Sequence, residues 1–561
     1  MLLKQIKTSR PTFLLIGIIA LAALVRLPQI YGDPPAGDIS RSGDFLGDEG
    51  IHGHNALHWA ITGEWHIPGA YNPAVNTPVF TLFEYSLLRI FGVSLATVRY
   101  GAVFCGVLTV LLLFILFRRH DVVAANVAAL LAAVNFPLMV FNRLAFLENL
   151  LLCFILTGSV FLIIYLREPH CRFMLFAFWV AIFLGYLTKA SIVFFAIVFA
   201  GMVWRQQAMV RRQTFVLSIA AIIIIVTPLW FFWISPHLDD WLYYQQINVA
   251  ERFTFSPLAI AENYARYIAH LKFFEFMPGA YVIALMMALR CTRDIVKKNA
   301  LSDIHRLLCL WFWAGVLFAG GVAYSPPRYS LVLIPAIAGL NGLFFAELFK
   351  RSSPHTAQEW PRFSFWIVGT VILLQTIFGV YRIAAYDQIY LSCFLPLVGF
   401  LTLYAIRQAA REGNAKRLAV WGLAVLIVIE QAAQIISYHA KMEYSLYDTI
   451  QKVRRIFEND PHREQIVLAG DSAMLLSFEL RVPTVDVIFR KERLPEVIEQ
   501  WRPNYLFLED PAELSRLQKQ MPDYWQHLTV LGRFRLMNNY KHGRDAMLYR
   551  VDGVRQMPSR E

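Results

Sequence analysis

Residues 148–166, with the sequence ENLLLCFILTGSVFLIIYL, contain a single charged residue, the glutamate at their start. A helix of this length and composition can cross the hydrocarbon core of a bilayer. Similar apolar runs recur on both sides of this segment, so it is representative of the fold as a whole. The predicted spans are 12–30, 96–117, 122–141, 148–166, 173–188, 190–204, 215–233, 277–290, 307–324, 330–348, 363–381, 391–407 and 418–437.

The composition supports the same fold class. Of the 561 residues, 57% are apolar, 14% aromatic and 16% charged, and the mean hydropathy is +0.47. A soluble domain carries about 25% charged residues. The six cysteines form no CxxC or Cys/His pattern typical of a zinc site. These values exclude a soluble enzyme, a disordered scaffold and a disulfide-stapled secreted module, and they predict a polytopic α-helical membrane protein with about thirteen spans.

The net charge of +12 reflects the orientation of the chain in the membrane and does not indicate a polyanionic partner. After residue 440 the chain is almost neutral, with 19 basic and 18 acidic residues, so the excess lies in short clusters between the spans. One alternating set of loops holds 22 basic residues and the other nine. The positive-inside rule therefore predicts a cytoplasmic N-terminus and an extracytoplasmic, periplasmic C-terminus in the inner (plasma) membrane. No basic face interleaved with aromatic residues occurs, so no nucleic-acid partner is expected.

Two domains are predicted. Residues 1–440 form a transmembrane domain with two long outer loops, 31–95 and 234–276, which lie among membrane lipids. Residues 441–561 form a small α/β domain with a partly parallel sheet that covers the membrane-embedded site. Surface helices are predicted at 49–62 and 79–91, tail helices at 472–480, 492–501 and 511–520, and tail strands at 484–488, 504–508, 527–537 and 546–551.

Charged residues collect at the outer ends of the predicted spans. Taken singly, each basic residue here can be a snorkelling anchor. Together they favour an anionic ligand, because a charge near hydrocarbon is costly without a partner or substrate. A lipid phosphate is the anion that this place would meet. The residues are Asp48, Glu49, Arg143, Glu148, Lys189 and Arg328.

Carboxylates beside cations suit group transfer, since a carboxylate can accept a proton from an attacking hydroxyl while cations stabilise a departing phosphate. At this point the chain resembles the dolichyl-phosphate-mannose–protein mannosyltransferase superfamily of GT-C glycosyltransferases, in particular its bacterial branch with the lipid A aminoarabinose transferases. The layout of residues 10–440 and the external tail both carry the resemblance. Its landmarks are Asp48-Glu49, the Pro78 region, Arg143 with Glu148, Gly185-Tyr-Leu-Thr-Lys189, and Arg328-Tyr329 before Pro335.

The resemblance implies a membrane glycosyltransferase with inverting transfer from a polyprenyl-phosphate sugar to a lipid, glycan or protein acceptor on the extracytoplasmic face. It assigns Asp48 as the base, with Glu49 beside it, and Glu148 as a second acidic site. It assigns donor-phosphate binding to Lys189, together with Arg328, Tyr329 and Arg143. This chain has Asn76-Thr77-Pro78 where the aminoarabinose transferases have Lys-Pro-Pro, and the missing cation argues against the aminoarabinose donor and the lipid A acceptor.

No cofactor is required by this interpretation, although a divalent metal is an alternative phosphate partner. The first outer loop holds several candidate ligands, of which His52 and Glu84 are the main ones, and Asp48 with His52 has i,i+4 spacing. No HExxH signature accompanies them. A polar amphipathic helix among headgroups explains the same residues.

Two other functional classes compete with a transferase. A transporter or flippase of lipid-linked sugars suits many apolar spans, but no inverted repeat is evident and the charges lie at one face. A receptor with an external binding domain leaves the acidic and basic residues at the outer junctions unexplained. The sequence therefore favours the transferase.

The topology can be tested directly. A reporter that is active only in the cytoplasm should be inactive when fused after residue 445 and active when fused in a loop of the basic-rich set, such as after Arg411. Activity after residue 445 would contradict the orientation and the position of the predicted site.

Overall fold

The structure is a computed structural model of the chain. It describes residues 9–33, 45–204, 209–246, 256–269, 276–321, 327–350, 415–470, 473–488, 491–536 and 544–552, with a few short pieces between 369 and 404. About two thirds of each of the predicted spans 363–381 and 391–407 therefore lies outside the described residues.

Helices dominate the described part of the chain up to residue 440. They are α1 (Ser9–Leu24), α2 (Phe45–Thr62), α3 (Pro78–Phe91), α4 (Leu95–Arg118), α5 (Val122–Ala133), α6 (Phe136–Phe141), α7 (Leu147–Arg167), α8 (Arg172–Thr188), α9 (Phe194–Trp204), α10 (Met209–Ile234), α11 (Leu238–Gln245), α12 (Pro257–Ala269), α13 (Pro278–Val296), α14 (Asp303–Gly321), α15 (Ile334–Lys350) and α16 (Ala415–Ala440). Short 3₁₀ turns precede α3, α9, α11 and α15.

The described helices have the length and composition of a membrane protein. Among the described residues, the helical segments that are long and apolar enough to cross a membrane are Leu95–Arg118, Leu147–Arg167, Gln213–Gln245 and Arg328–Phe349. Five shorter apolar helices are also described. The total of thirteen spans stays a prediction.

One predicted span is broken. The apolar run 122–141 forms two helices, α5 and α6, because Asn135 adopts an extended backbone and its side chain accepts a hydrogen bond from the Leu138 amide. Pro137 follows in the first turn of α6, where its missing N–H costs nothing. The segment therefore turns where hydropathy alone predicts a continuous helix.

Close packing in the centre of the bundle depends on small residues. Helix α5 buries a row of alanines that includes Ala124 and Ala128, and α15 lies against it. A Cβ atom added to Gly342 of α15 would meet the backbone carbonyl of Ala124. Small residues allow such close helix contacts in membranes, so this glycine is required by the approach of the two helices.

After residue 440 the described part of the chain combines helices with a small sheet, and we refer to it as the α/β domain. Its helices are α17 (Ser445–Glu458), α18 (Ala473–Leu480), α19 (Leu494–Trp501), α20 (Pro511–Gln520) and α21 (Pro522–Trp525). Its strands are β1 (Leu468–Ala469), β2 (Thr484–Val485), β3 (Tyr505–Leu508), β4 (Leu528–Leu536) and β5 (Arg544–Val551).

The five strands form one mixed sheet in the order β2-β1-β3-β5-β4. Strand β1 pairs in parallel with β2 and β3, whereas β5 pairs antiparallel with β3 and β4. The predicted partly parallel sheet is therefore present. The strand predicted at 484–488 is shorter, because the Asp486 side chain accepts a hydrogen bond from the Ile488 amide and closes a turn.

Helix α2 of the first outer loop is held between α3 and the α/β domain. Ala56 and Leu57 share a buried apolar cluster with Leu475 and Leu476 of α18. A Cβ atom on Gly53 would meet the ring of Phe478. The α/β domain thus packs directly on the helix that carries Asp48 and Glu49 in its first turns.

Two buried histidines lie in this interface. The Nε2 atom of His54 is 2.8 Å from the carbonyl oxygen of Thr484 in β2. The ring of His58 makes an edge contact with the ring of Trp501, and neither ring nitrogen of His58 has a partner among the described residues. Burial lowers the pKa of His54 to about 4 and that of His58 to about 3. Both side chains are neutral while the domain is docked.

Docking of the α/β domain should weaken in acid. Because the folded-state pKa values lie below the ordinary value of about 6.5, the unfolded form binds more protons, and stability is lost as the pH falls from about 6.5 toward 4. The loss approaches about 1.4 kcal/mol per pH unit for each histidine in that window. Hydrogen exchange of α18 and α19 at pH 7.5 and 5 measures it. The variant His58→Phe should reduce the pH dependence, whereas His527→Phe at an exposed position of the same domain should not.

Candidate active site

Four charged side chains from separate parts of the chain meet at one place. Asp48 is in the first turn of α2, Glu148 in the first turn of α7 and Lys189 directly after α8. Arg328 is in the 3₁₀ turn Pro327–Leu333 that leads into α15. Each residue lies at an end of a helix or in a turn, where a side chain can point across to neighbouring elements.

These four residues form an alternating chain of charges, which we name the charge network. Arg328 Nη1 donates to Asp48 Oδ2, and Arg328 Nε is 3.7 Å from Glu148 Oε1. The same Glu148 oxygen accepts a hydrogen bond of 2.5 Å from Lys189 Nζ. Two carboxylates and two cations therefore balance one another, and this pairing offsets part of the desolvation free energy of burying them near an apolar medium.

The four residues differ in exposure. The side chains of Glu148 and Arg328 are 2% and 8% exposed, whereas those of Lys189 and Asp48 are 15% and 24% exposed. The two ends of the charge network are therefore the members that a ligand can reach. Asp48 is available at one end and Lys189 at the other.

Aromatic rings hold the two cations in place. Lys189 Nζ lies 4.3 Å from the ring centroid of Tyr329, and the guanidinium carbon of Arg328 lies 5.6 Å from the ring centroids of Tyr329 and Phe146. Cations over aromatic faces are stabilised by the ring quadrupole. Tyr329 thus contacts both cations, as expected of a residue grouped with them from the sequence.

His52 lies one turn after Asp48 on α2 and next to the charge network. Burial lowers its pKa to about 4; Arg328 and Lys189 lower it further, while Asp48 opposes them. Its Nδ1 atom is buried without a hydrogen-bond partner among the described residues. His52 is therefore a neutral imidazole beside the carboxylate.

A cavity of about 710 Å³ opens beside Lys189. Most of its wall is apolar, and the apolar residues include Phe194 and Ile197 of α9 and Leu317 of α14. Lys189 and Tyr329 line it as well, so one end of the charge network forms part of the cavity wall. An elongated apolar ligand with an anionic group matches this combination.

Glu49 does not join Asp48 in this site. Its carboxylate is fully buried and accepts hydrogen bonds of 2.9 and 2.8 Å from Arg99 of α4, and another of 2.9 Å from the Ala145 amide. Adjacent residues on a helix point about 100° apart, which sends Glu49 into the protein and Asp48 toward the charge network. The catalytic assignment of Glu49 is therefore replaced by an anchoring one.

Arg143 also lies away from the charge network. Its guanidinium donates to the carbonyl oxygens of Arg26, Pro28 and Gln29, at 2.6, 2.6 and 2.8 Å. It thereby holds the turn that follows α1. A buried guanidinium that donates to three carbonyl oxygens is a structural clamp, and this role replaces the one predicted for Arg143 at the donor phosphate.

Glu84 of α3 forms no ion pair with any residue that the structure describes. Burial raises its pKa well above the usual range, and the charge of Glu49 adds to this shift. Its Oε2 atom is buried without a hydrogen-bond partner among the described residues. It lies next to Gly53 and forms no metal-binding group with His52 in the described part of the chain.

A different group of metal-binding side chains does come together. His66, His237 and Asp240 place one ligand atom each within 4.8 Å of one another. His66 Nε2 is 2.7 Å from Asp240 Oδ2, which also accepts a hydrogen bond of 3.2 Å from Asn72. The donor set of two imidazoles and a carboxylate suits a divalent ion such as zinc.

Two residues near the site, Arg99 and Gln245, were not predicted from the sequence. Arg99 is the single charged residue in the predicted span 96–117, and a single charge in an apolar helix indicates a buried partner. Gln245, which lines the cavity together with Asn76, gave no signal beyond its place in an aromatic outer loop.

Comparison with known proteins agrees with this architecture. Residues 75–233 match the family described as dolichyl-phosphate-mannose-protein mannosyltransferase. The match includes Glu148 and Lys189 but neither Asp48 nor Arg328. A comparison with curated protein sequences finds no match.

Solved structures extend the similarity over almost the whole chain. ArnT from Cupriavidus metallidurans in the apo state is 16% identical, with 98% of this chain and 99% of that chain covered and a TM-score of 0.56. The same protein bound to undecaprenyl phosphate is 17% identical, with 97% and 99% covered and a TM-score of 0.57. The Archaeoglobus fulgidus oligosaccharyltransferase in the apo form is 11% identical, with 92% and 71% covered and a TM-score of 0.50.

The chain therefore has the fold of the GT-C glycosyltransferases. Within that class its architecture is similar to that of ArnT over almost the whole chain. The resemblance predicted from the sequence is confirmed at the level of fold, and the apolar helices support a membrane protein.

The two neighbouring acids of α2 should respond differently to substitution. Glu49→Gln leaves the buried Arg99 without a counter-charge, so the protein should lose about 3–5 kcal/mol of stability. Asp48→Asn should cost much less, because Glu148 remains to pair with Arg328. Thermal unfolding of the purified protein, followed by tryptophan fluorescence, compares the two variants, with Glu64→Gln in the same loop as an exposed control. Equal stability of the Glu49→Gln variant and the wild type would contradict the anchoring role.

Proposed function

We propose that this protein is a membrane glycosyltransferase that moves a sugar from a polyprenyl-phosphate donor to an acceptor at the extracytoplasmic face. The observation that carries the proposal is the position of Lys189, which belongs both to the charge network and to the wall of the apolar cavity. A lipid phosphate sugar places its chain in the cavity and its phosphate on this cation. The undecaprenyl phosphate bound to ArnT, a protein of the same fold, supports this class of ligand.

Asp48 is the base of the proposed reaction. An acceptor hydroxyl attacks the anomeric carbon of the sugar from the side opposite the phosphate, and its proton passes to the Asp48 carboxylate. The bond between the anomeric carbon and the phosphate oxygen breaks, and its electron pair stays on that oxygen. The configuration of the sugar is inverted. Asp48 suits this role because it is the most exposed member of the charge network.

Lys189 and Arg328 stabilise the leaving group. The donor is a phosphate diester with one negative charge, and the departing polyprenyl phosphate gains a second one. The two cations therefore meet more charge in the transition state than in the ground state, which is the condition for acceleration. In the absence of donor, Glu148 balances both cations and keeps them in position.

This mechanism needs no cofactor, because the two cations supply the positive charge that a metal ion would otherwise bring to the phosphate. The group His66, His237 and Asp240 can hold a divalent ion, but it joins α11 to the first outer loop rather than contacting Asp48 or Lys189. We assign it no part in the transfer.

The proposed roles of Asp48 and Lys189 can be separated by kinetics. Asp48→Asn cannot accept the proton, so transfer should fall about 100-fold or more with the protein still folded. Lys189→Ala should raise the KM for the donor and lower kcat, while Lys189→Arg should keep part of the activity because a phosphate accepts either cation. The assay uses purified full-length protein, polyprenyl-phosphate sugar labelled in the sugar, and cell-envelope extract as acceptor.

Release of polyprenyl phosphate and transfer of label are measured together. Asp523→Asn and Lys297→Ala change exposed residues of the same types and should leave both rates unaltered. Normal turnover of the Asp48→Asn variant would reject the base. Transfer from a nucleotide sugar alone, or lipid movement without cleavage of the sugar–phosphate bond, would reject the transferase in favour of another enzyme or a transporter.

A further inference from the structure

The cavity beside Lys189 has two buried hydrogen-bond donors that the protein does not use. The Nδ2 atom of Asn76 and the Nε1 atom of Trp241 both find no acceptor among the described residues, and both residues line the cavity. An unmade hydrogen bond at a buried donor costs more than the bond itself contributes when it is made. Two such donors in one wall indicate a ligand that supplies oxygen acceptors.

Gln245 extends this polar patch. Its Nε2 atom donates to Asn76 Oδ1 at 3.1 Å. If the oxygen and nitrogen atoms of both side-chain amides are exchanged, Asn76 donates to Gln245 instead, and the N–H group without an acceptor belongs to Gln245. In either arrangement the pair keeps a donor and an acceptor for a ligand, because each amide carries two N–H groups and a carbonyl oxygen.

The elements that build the cavity give it a direction. Its apolar residues, such as Ile197 and Leu317, come from the apolar helices α9 and α14. Asn76, Trp241 and Gln245 come from the outer loops, and Lys189 lies at the junction between α8 and the following 3₁₀ turn. A lipid phosphate with its chain along the helices and its phosphate on Lys189 therefore places its head group on the outer-loop residues.

The charge of the wall restricts that head group. Lys189 is the single charged side chain among the described residues that line the cavity, and no carboxylate is among them. An ammonium group on the sugar would be desolvated here beside a cation, with no counter-charge in that wall, which is costly. Hydroxyl groups, in contrast, can both donate to and accept from the amides.

We propose that Asn76, Gln245 and Trp241 form a head-group subsite that selects an uncharged, hydroxyl-rich sugar on the lipid phosphate over an amino sugar. This inference rests on the proposed function and names the substrate class of the same site. The three residues contact the sugar, whereas Lys189 contacts the phosphate.

Binding to the full-length protein in lipid nanodiscs tests the subsite. Three ligands share one polyprenyl phosphate: one without sugar, one with a hexose, and one in which a single hexose hydroxyl is replaced by an amino group. Asn76→Ala and Gln245→Ala should each weaken the hexosyl ligand about fivefold, as the loss of one hydrogen bond implies. Trp241→Phe, which keeps a ring and removes the N–H, should act similarly. All three variants should bind the sugar-free lipid phosphate within about twofold of wild type, since that ligand makes none of these bonds.

Asn126→Ala, at a half-buried amide of α5 that does not line the cavity, is the control and should bind all three ligands normally. Weaker wild-type binding of the amino-sugar ligand than of the hexosyl ligand supports the proposal. Equal or tighter binding of the amino-sugar ligand overturns it. Equal weakening of the sugar-free ligand by the three variants also overturns it, because they would then contact the phosphate, and the proposed function would stand. Failure of wild type to bind the sugar-free ligand overturns both.

Discussion

The ion pair between Glu49 and Arg99 is the interaction on which the candidate site depends. Both side chains are completely buried, and Glu49 also accepts the amide of Ala145 in the turn before α7. One carboxylate thus fixes α2 against α4 and against the turn that leads to Glu148. Because Asp48 is the preceding residue, the same anchor directs its side chain toward Arg328.

Pairing of charge explains how the ionised side chains of the site lie next to apolar helices. The charge network balances two carboxylates with two cations, and Arg143 is balanced by backbone carbonyls. A charge without such a partner is costly in this environment. The exposed ends of the network, Asp48 and Lys189, are therefore the places where a substrate can replace a protein partner.

The α/β domain contributes to the site by position rather than by catalytic groups. Its helix α18 packs on α2, and Glu479 accepts a hydrogen bond of 3.0 Å from the Leu95 amide at the first turn of α4. A carboxylate at the N-terminus of a helix is stabilised by the helix dipole. Through these contacts the domain holds the two helices that carry Asp48 and Arg99. The neutral histidines in the interface make this support sensitive to acid.

The sequence by itself determined the fold class and singled out six charged residues at the ends of apolar runs, because both are local patterns. Four of the six, Asp48, Glu148, Lys189 and Arg328, form the charge network. The sequence could not separate Asp48 from Glu49, or Arg143 from Lys189, since each pair has the same kind of charge in the same kind of place. Only the tertiary structure decided these cases. The rotation of about 100° per helical residue directs Glu49 to Arg99 and leaves Asp48 accessible to a ligand. Three backbone carbonyls bind Arg143, whereas Lys189 remains accessible. The cavity, with Asn76 and Gln245 brought together from two loops 169 residues apart, was likewise not encoded in any local pattern.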